Sequence, residues 1–168
     1  VTASLAAILA VFLLTALAAA CWILQLPPAL SDLPGMLVVV GGFAAVVRGS
    51  SLPTRDIDIV PSRSAENLDR LGRALHRMGA QIRTDGDPVP APMDGPFLAN
   101  MPTMLNLVTD FGEMDLTFVP AGRAGGYDGW RLAATEEEVS DGLIVVIASL
   151  DDVIDSKRAA NRPKDQMA

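Results

Sequence analysis

The pattern of hydrophobic and polar positions divides the 168-residue chain into a long apolar stretch and a region in which short apolar segments are interrupted by polar ones. No charged residue occurs in 1–31, and 5–26 contains neither Gly nor Pro. By length and hydropathy, 5–26 predicts an apolar helix that could span a membrane. Two alternatives stay open. A cleaved signal peptide is disfavoured because no Lys or Arg precedes the apolar run, and the segment could also be a buried helix or a start assigned too far upstream.

Beyond residue 30 the pattern changes to short apolar runs, alternating segments and one strongly amphipathic stretch. It predicts strands at 36–40, 55–61, 81–83, 104–109, 113–119 and 143–147, helices at 43–47, 64–79 and 150–160, and loops at 50–54, 85–96 and 122–129. Strands and helices alternate only in part, so we expect an α/β (α+β) fold with a mixed β-sheet flanked by helices. We therefore divide the chain into an apolar segment, 1–30, and a domain, 36–165.

Composition limits the classes of function. The formal net charge is -7, from 20 acidic and 13 basic residues, so nucleic-acid binding by bulk electrostatics is disfavoured. A local basic patch at 157–164 remains available. Cys21 is the single cysteine, which excludes an intrachain disulfide and disfavours a cysteine-based zinc site.

Two aspartates in the second predicted strand suggest chemistry. Asp56 and Asp58 are separated by one residue, so in a strand both carboxylates project from one face. Adjacent carboxylates repel each other unless a cation or a proton lies between them, and Mg²⁺ takes oxygen ligands of this kind. An Asp-x-Asp pair also occurs on solvent-exposed edge strands, so by itself it is a weak signal.

A third carboxylate, Asp115, lies between two apolar residues of a later predicted strand. If that strand neighbours the strand at 55–61, three carboxylates converge, and such a set can hold two metal ions. Glu113 shares the face of Asp115 by parity and is the alternative ligand.

Gly41 and Gly42 follow the first predicted strand and open a helix. Such a turn lets backbone N–H groups approach a phosphate, although a glycine pair is as often only a tight turn. Ser50 or Ser51 can bond a phosphate oxygen. Arg48 can pair with that phosphate or cap the C-terminus of the helix.

Three separated segments carry a resemblance to a known family. They are GGFAAVVRGS at 41–50, TRDIDI at 54–59 and the tail at 149–165, in that order. The combination resembles the nucleotidyltransferase superfamily, and in detail the small bacterial nucleotidyltransferases of the AbiEii toxin type. The resemblance covers roughly residues 36–165.

The resemblance implies a polymerase β-like fold and transfer of a nucleoside monophosphate from an NTP to an acceptor hydroxyl. Asp56, Asp58 and Asp115 would be catalytic and would hold Mg²⁺ or Mn²⁺, with Asp115 also a candidate base. The nucleotide would be bound by Gly41, Gly42, Ser50, Arg48 and Lys157. For Lys157 a solvated helix face remains the alternative.

Several partners stay open at this point. The acceptor can be RNA (notably tRNA ends), a protein or a small molecule, and the resemblance adds a cognate antitoxin for a toxin–antitoxin pair. The need for NTPs predicts a cytoplasmic domain, and anchoring of this domain to a membrane through 5–26 stays open.

The alternative function is a non-catalytic nucleotide-binding or membrane-tethered interaction module on the same fold. Two departures from the family pattern, the apolar 1–30 and the end at Ala168, predict a truncated or weakly active member.

Overall fold

The computed structural model describes residues 36–140 and 143–161. Within these ranges seven strands and five helices follow one another along the chain. The strands are β1 (Leu37–Val40), β2 (Asp56–Pro61), β3 (Gln81–Ile82), β4 (Met104–Thr109), β5 (Gly112–Thr117), β6 (Thr135–Ser140) and β7 (Leu143–Ile147). The helices are α1 (Gly41–Val47), α2 (Ala65–Arg77), α3 (Gly95–Ala99), α4 (Gly126–Arg131) and α5 (Leu150–Ala160).

All seven strands form one mixed sheet in the order β3-β4-β5-β2-β1-β7-β6. The pairs β2–β5 and β1–β7 are parallel, and the other four pairs are antiparallel. The predicted α/β class with a mixed sheet flanked by helices is confirmed. The condition for convergence of the three carboxylates is met, because β5 is the direct neighbour of β2.

Strand β1 is apolar on both faces. All four residues of β1 are buried, as expected for a strand that is covered from both sides. Helix α2 adds Leu68, Leu71 and Leu75 to the same core, each at most 1% exposed. The Ser64 hydroxyl accepts a hydrogen bond of 3.3 Å from the Asn67 N–H and so caps the N-terminus of this helix.

Three parts of the structure differ from the sequence-based expectation. Part of the expected loop at 122–129 is the helix Gly126–Arg131, which is held in place by the fully buried Trp130. The helix Gly95–Ala99 and the edge strand Thr135–Ser140 were not predicted. Helices this short carry little periodic signal. The strand Thr135–Ser140 is the last in the sheet order, and its sequence, TEEEVS, has the charged residues typical of such edge strands rather than an apolar alternation.

The apolar helix predicted at 5–26 lies outside the described residues. Among the helices of 36–140 and 143–161, none is long and apolar enough to cross a bilayer.

One arginine joins the end of α1 to the far edge of the sheet. The Arg48 guanidinium donates to the Glu137 carboxylate at 2.7 Å and to the Thr135 hydroxyl at 2.6 Å. It also donates to the backbone carbonyls of Ile147 and Ala148, each at 3.1 Å. The hydrogen bonds from Thr135 and Arg48 hold the pKa of Glu137 below its ordinary range. Arg48 therefore fixes β6 and β7 to α1.

We expect Arg48→Ala to lower the free energy of unfolding by about 2 kcal/mol, because it removes several hydrogen bonds from a charged donor. Arg48→Lys should recover little of this loss, since an ammonium group cannot present the same planar set of donors. Urea unfolding measures both. Arg70→Ala, which removes only an exposed ion pair with Glu66, is the control and should cost less than about 0.5 kcal/mol. Equal losses in Arg48→Ala and Arg70→Ala would contradict the assigned role.

Candidate functional site

Three carboxylates meet where β2 and β5 run side by side. In this parallel pair Asp58 lies opposite Asp115, and Asp56 lies opposite Glu113. Side chains alternate along each strand, so all four acidic groups project from one face of the sheet. One oxygen from each of Asp56, Asp58 and Asp115 lies within 4.8 Å of the others. The three sequence-predicted metal ligands are therefore brought together.

The opposite face of the same two strands is apolar. Ile57 and Ile59 of β2, and Met114 and Leu116 of β5, are each at most 3% exposed. Burial of these side chains stabilises the pairing of the strands, which in turn holds the carboxylates close together despite their repulsion.

Asp115 is the most buried acid of the cluster, with 7% of the residue exposed. Burial raises its pKa above the ordinary value of 3.8, and the neighbouring charges of Asp56 and Glu113 raise it further. The Arg83 guanidinium opposes this shift through its charge and its hydrogen bond, but the pKa of Asp115 remains raised. Asp115 therefore holds a proton more readily than an ordinary aspartate does.

Arg83 is a site residue that the sequence analysis missed. One of its terminal nitrogens donates to both oxygens of Asp115, at 2.9 and 3.2 Å, and the other donates to the Glu113 carboxylate. Its backbone N–H donates to the Asn106 carbonyl at 2.9 Å, which continues the β3–β4 pairing beyond Ile82. The sequence predicts a strand at 81–83. Only the order of the strands shows that β3 lies next to β4 and β4 next to β5, so that the Arg83 side chain can extend past β4 to the acids of β5.

The Gly41-Gly42 turn lies directly against the carboxylates. Gly41 has a φ of +64°, and a Cβ at this position would overlap the Asp58 carboxylate. A Cβ on Gly42 would lie 2.5 Å from the hydroxyl oxygen of Thr54. That hydroxyl donates to the Asp56 carboxylate at 2.7 Å. Both glycines are thus needed for the close approach of α1 to the strand that carries the aspartates.

The remaining sequence-predicted nucleotide-binding residues occupy other positions. Arg48 bonds to β6 and β7 rather than to the carboxylates. The Ser50 hydroxyl accepts a hydrogen bond of 3.2 Å from the Leu52 N–H. Lys157 lies in α5, which packs against α1.

The donor set suits a hard divalent cation. It consists of carboxylate oxygens alone, without His or Cys, and Mg²⁺ and Mn²⁺ prefer oxygen ligands. Four acidic groups, Asp56, Asp58, Asp115 and Glu113, share this face, and Arg83 forms ion pairs with two of them, Asp115 and Glu113. A cation bound between the three aspartates would reduce the repulsion among their carboxylates.

Neither models of known protein families nor curated proteins match this chain.

We expect Gly41→Ala to be more destabilising than Gly49→Ala. Both glycines have a positive φ, which costs alanine about 1 to 2 kcal/mol, but a Cβ on Gly49 meets nothing within 4 Å. Gly41→Ala additionally displaces Asp58, so it should lower the free energy of unfolding by at least about 1 kcal/mol more in urea unfolding. The extra loss should shrink when the two glycine variants are compared in an Asp58→Ala background, which removes the overlapping carboxylate but keeps the Cβ of residue 58 at 3.0 Å. An undiminished loss there would mean that the Asp58 carboxylate is not the cause.

The raised pKa of Asp115 gives the stability a pH dependence of defined sign. The folded protein binds this proton more tightly than the unfolded chain does. The contribution of Asp115 to the free energy of unfolding therefore falls as pH rises from 3.8 through the folded-state pKa, and is constant above it. In Asp115→Asn this dependence is absent. The free energy of unfolding of the variant minus that of the wild type should thus rise across this window, as measured by urea unfolding over a series of pH values. A difference that falls with pH would mean that Arg83 outweighs burial.

Proposed function

We propose that the chain is a metal-dependent nucleotidyltransferase that moves a nucleoside monophosphate from an NTP to an acceptor hydroxyl. The observation that carries this proposal is the convergence of Asp56, Asp58 and Asp115, with one oxygen of each within 4.8 Å of the others. Transfer of a phosphoryl group depends on positioning and on charge neutralisation, and two or three carboxylates that hold divalent metal are a common means of both.

In this proposal Asp56, Asp58 and Asp115 hold Mg²⁺ or Mn²⁺. The bound metal supplies positive charge that offsets the triphosphate and the charge that develops during transfer. Thr54 orients Asp56 through its 2.7 Å hydrogen bond. The buried face of β2 and β5 keeps the strands in register, so the carboxylates are positioned before the substrate arrives.

The reaction is a displacement at the α-phosphorus of the NTP. The acceptor oxygen forms a bond to this phosphorus, the bond from the phosphorus to the bridging oxygen breaks, and pyrophosphate leaves. The acceptor proton passes to a carboxylate base. We assign this role to Asp115, the most buried carboxylate of the cluster.

The arrangement of strands supports a polymerase β-like assignment. The Gly-Gly turn follows a central strand, β1, and the neighbouring antiparallel strand, β2, carries Asp56 and Asp58. The third carboxylate comes from β5 on the other side of β2. Gly41 and Gly42 place the backbone of α1 beside the carboxylates, and we assign them, with Ser50 and Lys157, to the nucleotide. Arg48 belongs to the scaffold in this scheme, because binding a phosphate would break its hydrogen bonds to β6 and β7.

The resemblance to AbiEii-type proteins suggests the biological setting of a toxin with a cognate antitoxin. The acceptor would then be RNA, a protein or a small molecule of the cytoplasm, where NTPs are available. The net charge of -7 gives no general attraction for RNA. An RNA acceptor would therefore have to be bound by a local basic surface.

One observation favours a second candidate, a non-catalytic nucleotide-binding or interaction module on the same fold. Arg83 bonds to both oxygens of Asp115, and such a pair neutralises a carboxylate that a metal would otherwise use. A domain of this kind would bind nucleotide without transferring it.

Transfer activity is tested by incubating the protein with each of the four NTPs, labelled at the α-phosphate, together with Mg²⁺ or Mn²⁺ and a cell extract. We expect label on an acceptor, with about 100-fold or greater loss in Asp56→Asn and Asp115→Asn, because each removes a charged ligand. Asp85→Asn, in an exposed loop, is the matched control and should retain activity. Digestion with ribonuclease or with protease then distinguishes RNA from protein acceptors, and label resistant to both indicates a small molecule.

The outcomes separate the two candidate functions. Metal-dependent NTP binding without label transfer to any component of the extract would favour the non-catalytic module. Absence of both transfer and metal-dependent NTP binding would reject both candidates.

A further inference from the structure

The ion pairs of Arg83 indicate that this residue does more than support a strand. Four acidic side chains lie on one face of β2 and β5, and the Arg83 guanidinium forms ion pairs with two of them, Asp115 and Glu113. Arg83 is therefore a resident counter-ion of these two carboxylates.

Arg83 and a divalent cation require the same oxygens. The guanidinium lies 2.9 and 3.2 Å from the two oxygens of Asp115. Asp115 is also one of the three carboxylates that could ligate a metal. Positive charge at the three aspartates would repel the guanidinium, so the two cations compete at Asp115 rather than assist each other.

The surroundings of Arg83 allow the guanidinium to move while the backbone stays in place. The backbone is held by the hydrogen bond from the Arg83 N–H to Asn106 and by the pairing of Ile82 with Val89. The side chain is 26% exposed, and its second partner, Glu113, is 47% exposed. Glu113 can therefore keep hold of the side chain at the rim of the site when the bonds to Asp115 break.

We propose that Arg83 is the phosphate-binding cation of this site and that it exchanges partners. It is held on Asp115 while metal is absent, leaves Asp115 when a divalent cation binds the three aspartates, and then binds the triphosphate of the incoming NTP. This inference rests on the proposed nucleotidyltransferase function. It also assigns that site an ordered sequence, in which metal binding prepares the nucleotide-binding group.

The chemistry of the arginine fits such an exchange. A guanidinium stays charged at any physiological pH and bonds carboxylates and phosphates through the same planar pattern of donors. Release from Asp115 therefore leaves a group suited to a phosphate. Arg48, the arginine that the sequence analysis assigned to the nucleotide, is bonded instead to Glu137, Thr135 and two carbonyls at the opposite edge of the sheet.

Two binding measurements on Arg83→Ala test the exchange. Titration with Mn²⁺ alone should show affinity up to about tenfold tighter, since a competing cation has been removed. Titration with each NTP at saturating Mn²⁺ should show affinity about 10 to 100 fold weaker, since a charge-assisted bond to phosphate has been lost. Arg83→Lys should fall between Arg83→Ala and the wild type in NTP affinity. Arg70→Ala, at an exposed ion pair on α2, is the control for removal of one positive charge.

A measurement on the wild type does not depend on the folding of a variant. In NMR spectra of the arginine side-chain N–H groups, the signals of Arg83, assigned by comparison with Arg83→Lys, should shift or broaden when Mg²⁺ is added without nucleotide. The signals of Arg48 should not change, because its partners lie on β6 and β7.

Unchanged Mn²⁺ binding in Arg83→Ala would overturn the inference, because the two cations would then not compete. Weaker binding would overturn it too, because Arg83 would then be a positioning residue that orients Asp115 for the metal. Unchanged NTP affinity in Arg83→Ala, or Arg83 signals that do not respond to Mg²⁺, would overturn it as well. In each of these cases the wild type still binds metal and NTP, and the proposed function stands. Failure of that function appears differently, as a wild-type protein that binds neither.

Discussion

The parallel pairing of β2 with β5 is the constraint on which the site depends. It places Asp58 opposite Asp115 and Asp56 opposite Glu113, so four acidic side chains share one face of the sheet. The apolar side chains on the opposite face stabilise this pairing. A shift of the register by one residue would turn the carboxylates into the core and the isoleucines towards the site, and the cost of such a shift keeps the arrangement unique.

Two arginines, Arg48 and Arg83, form ion pairs at opposite sides of the sheet. Arg48 bonds to two carbonyls, a hydroxyl and Glu137, and joins α1 to the last two strands. Arg83 faces the carboxylates at the other side of the sheet, where it offsets part of their repulsion but leaves the pKa of Asp115 raised. The hydrogen bonds of Arg48 join elements of the scaffold, whereas Arg83 bonds to a carboxylate, Asp115, that is also a candidate metal ligand. For this reason Arg83 is the residue that we propose responds to metal.

Much of the architecture could be predicted because local periodicity and tertiary packing agree. The β-branched run of β1 and the apolar stripe of α2 show their burial directly in the sequence. The helix Gly126–Arg131 could not be predicted, since its six residues include two glycines and it is held by the burial of Trp130 rather than by its own propensity. The polar edge strand Thr135–Ser140 forms because β7 offers it a partner, and a partner strand is not visible in local sequence.

For the site, the sequence determined which side chains are present and which residues of one strand point to the same face. The Asp-x-Asp spacing places Asp56 and Asp58 on one face of a strand, and the glycine pair and the later strand aspartate, Asp115, are candidates by their residue type and position. Only the tertiary structure decided that β5 is the neighbour of β2, that Arg83 reaches Asp115, and that Arg48 is occupied elsewhere. The physical reason is that parity along a strand follows from local backbone geometry, whereas the order of strands is set by which apolar faces can be buried together.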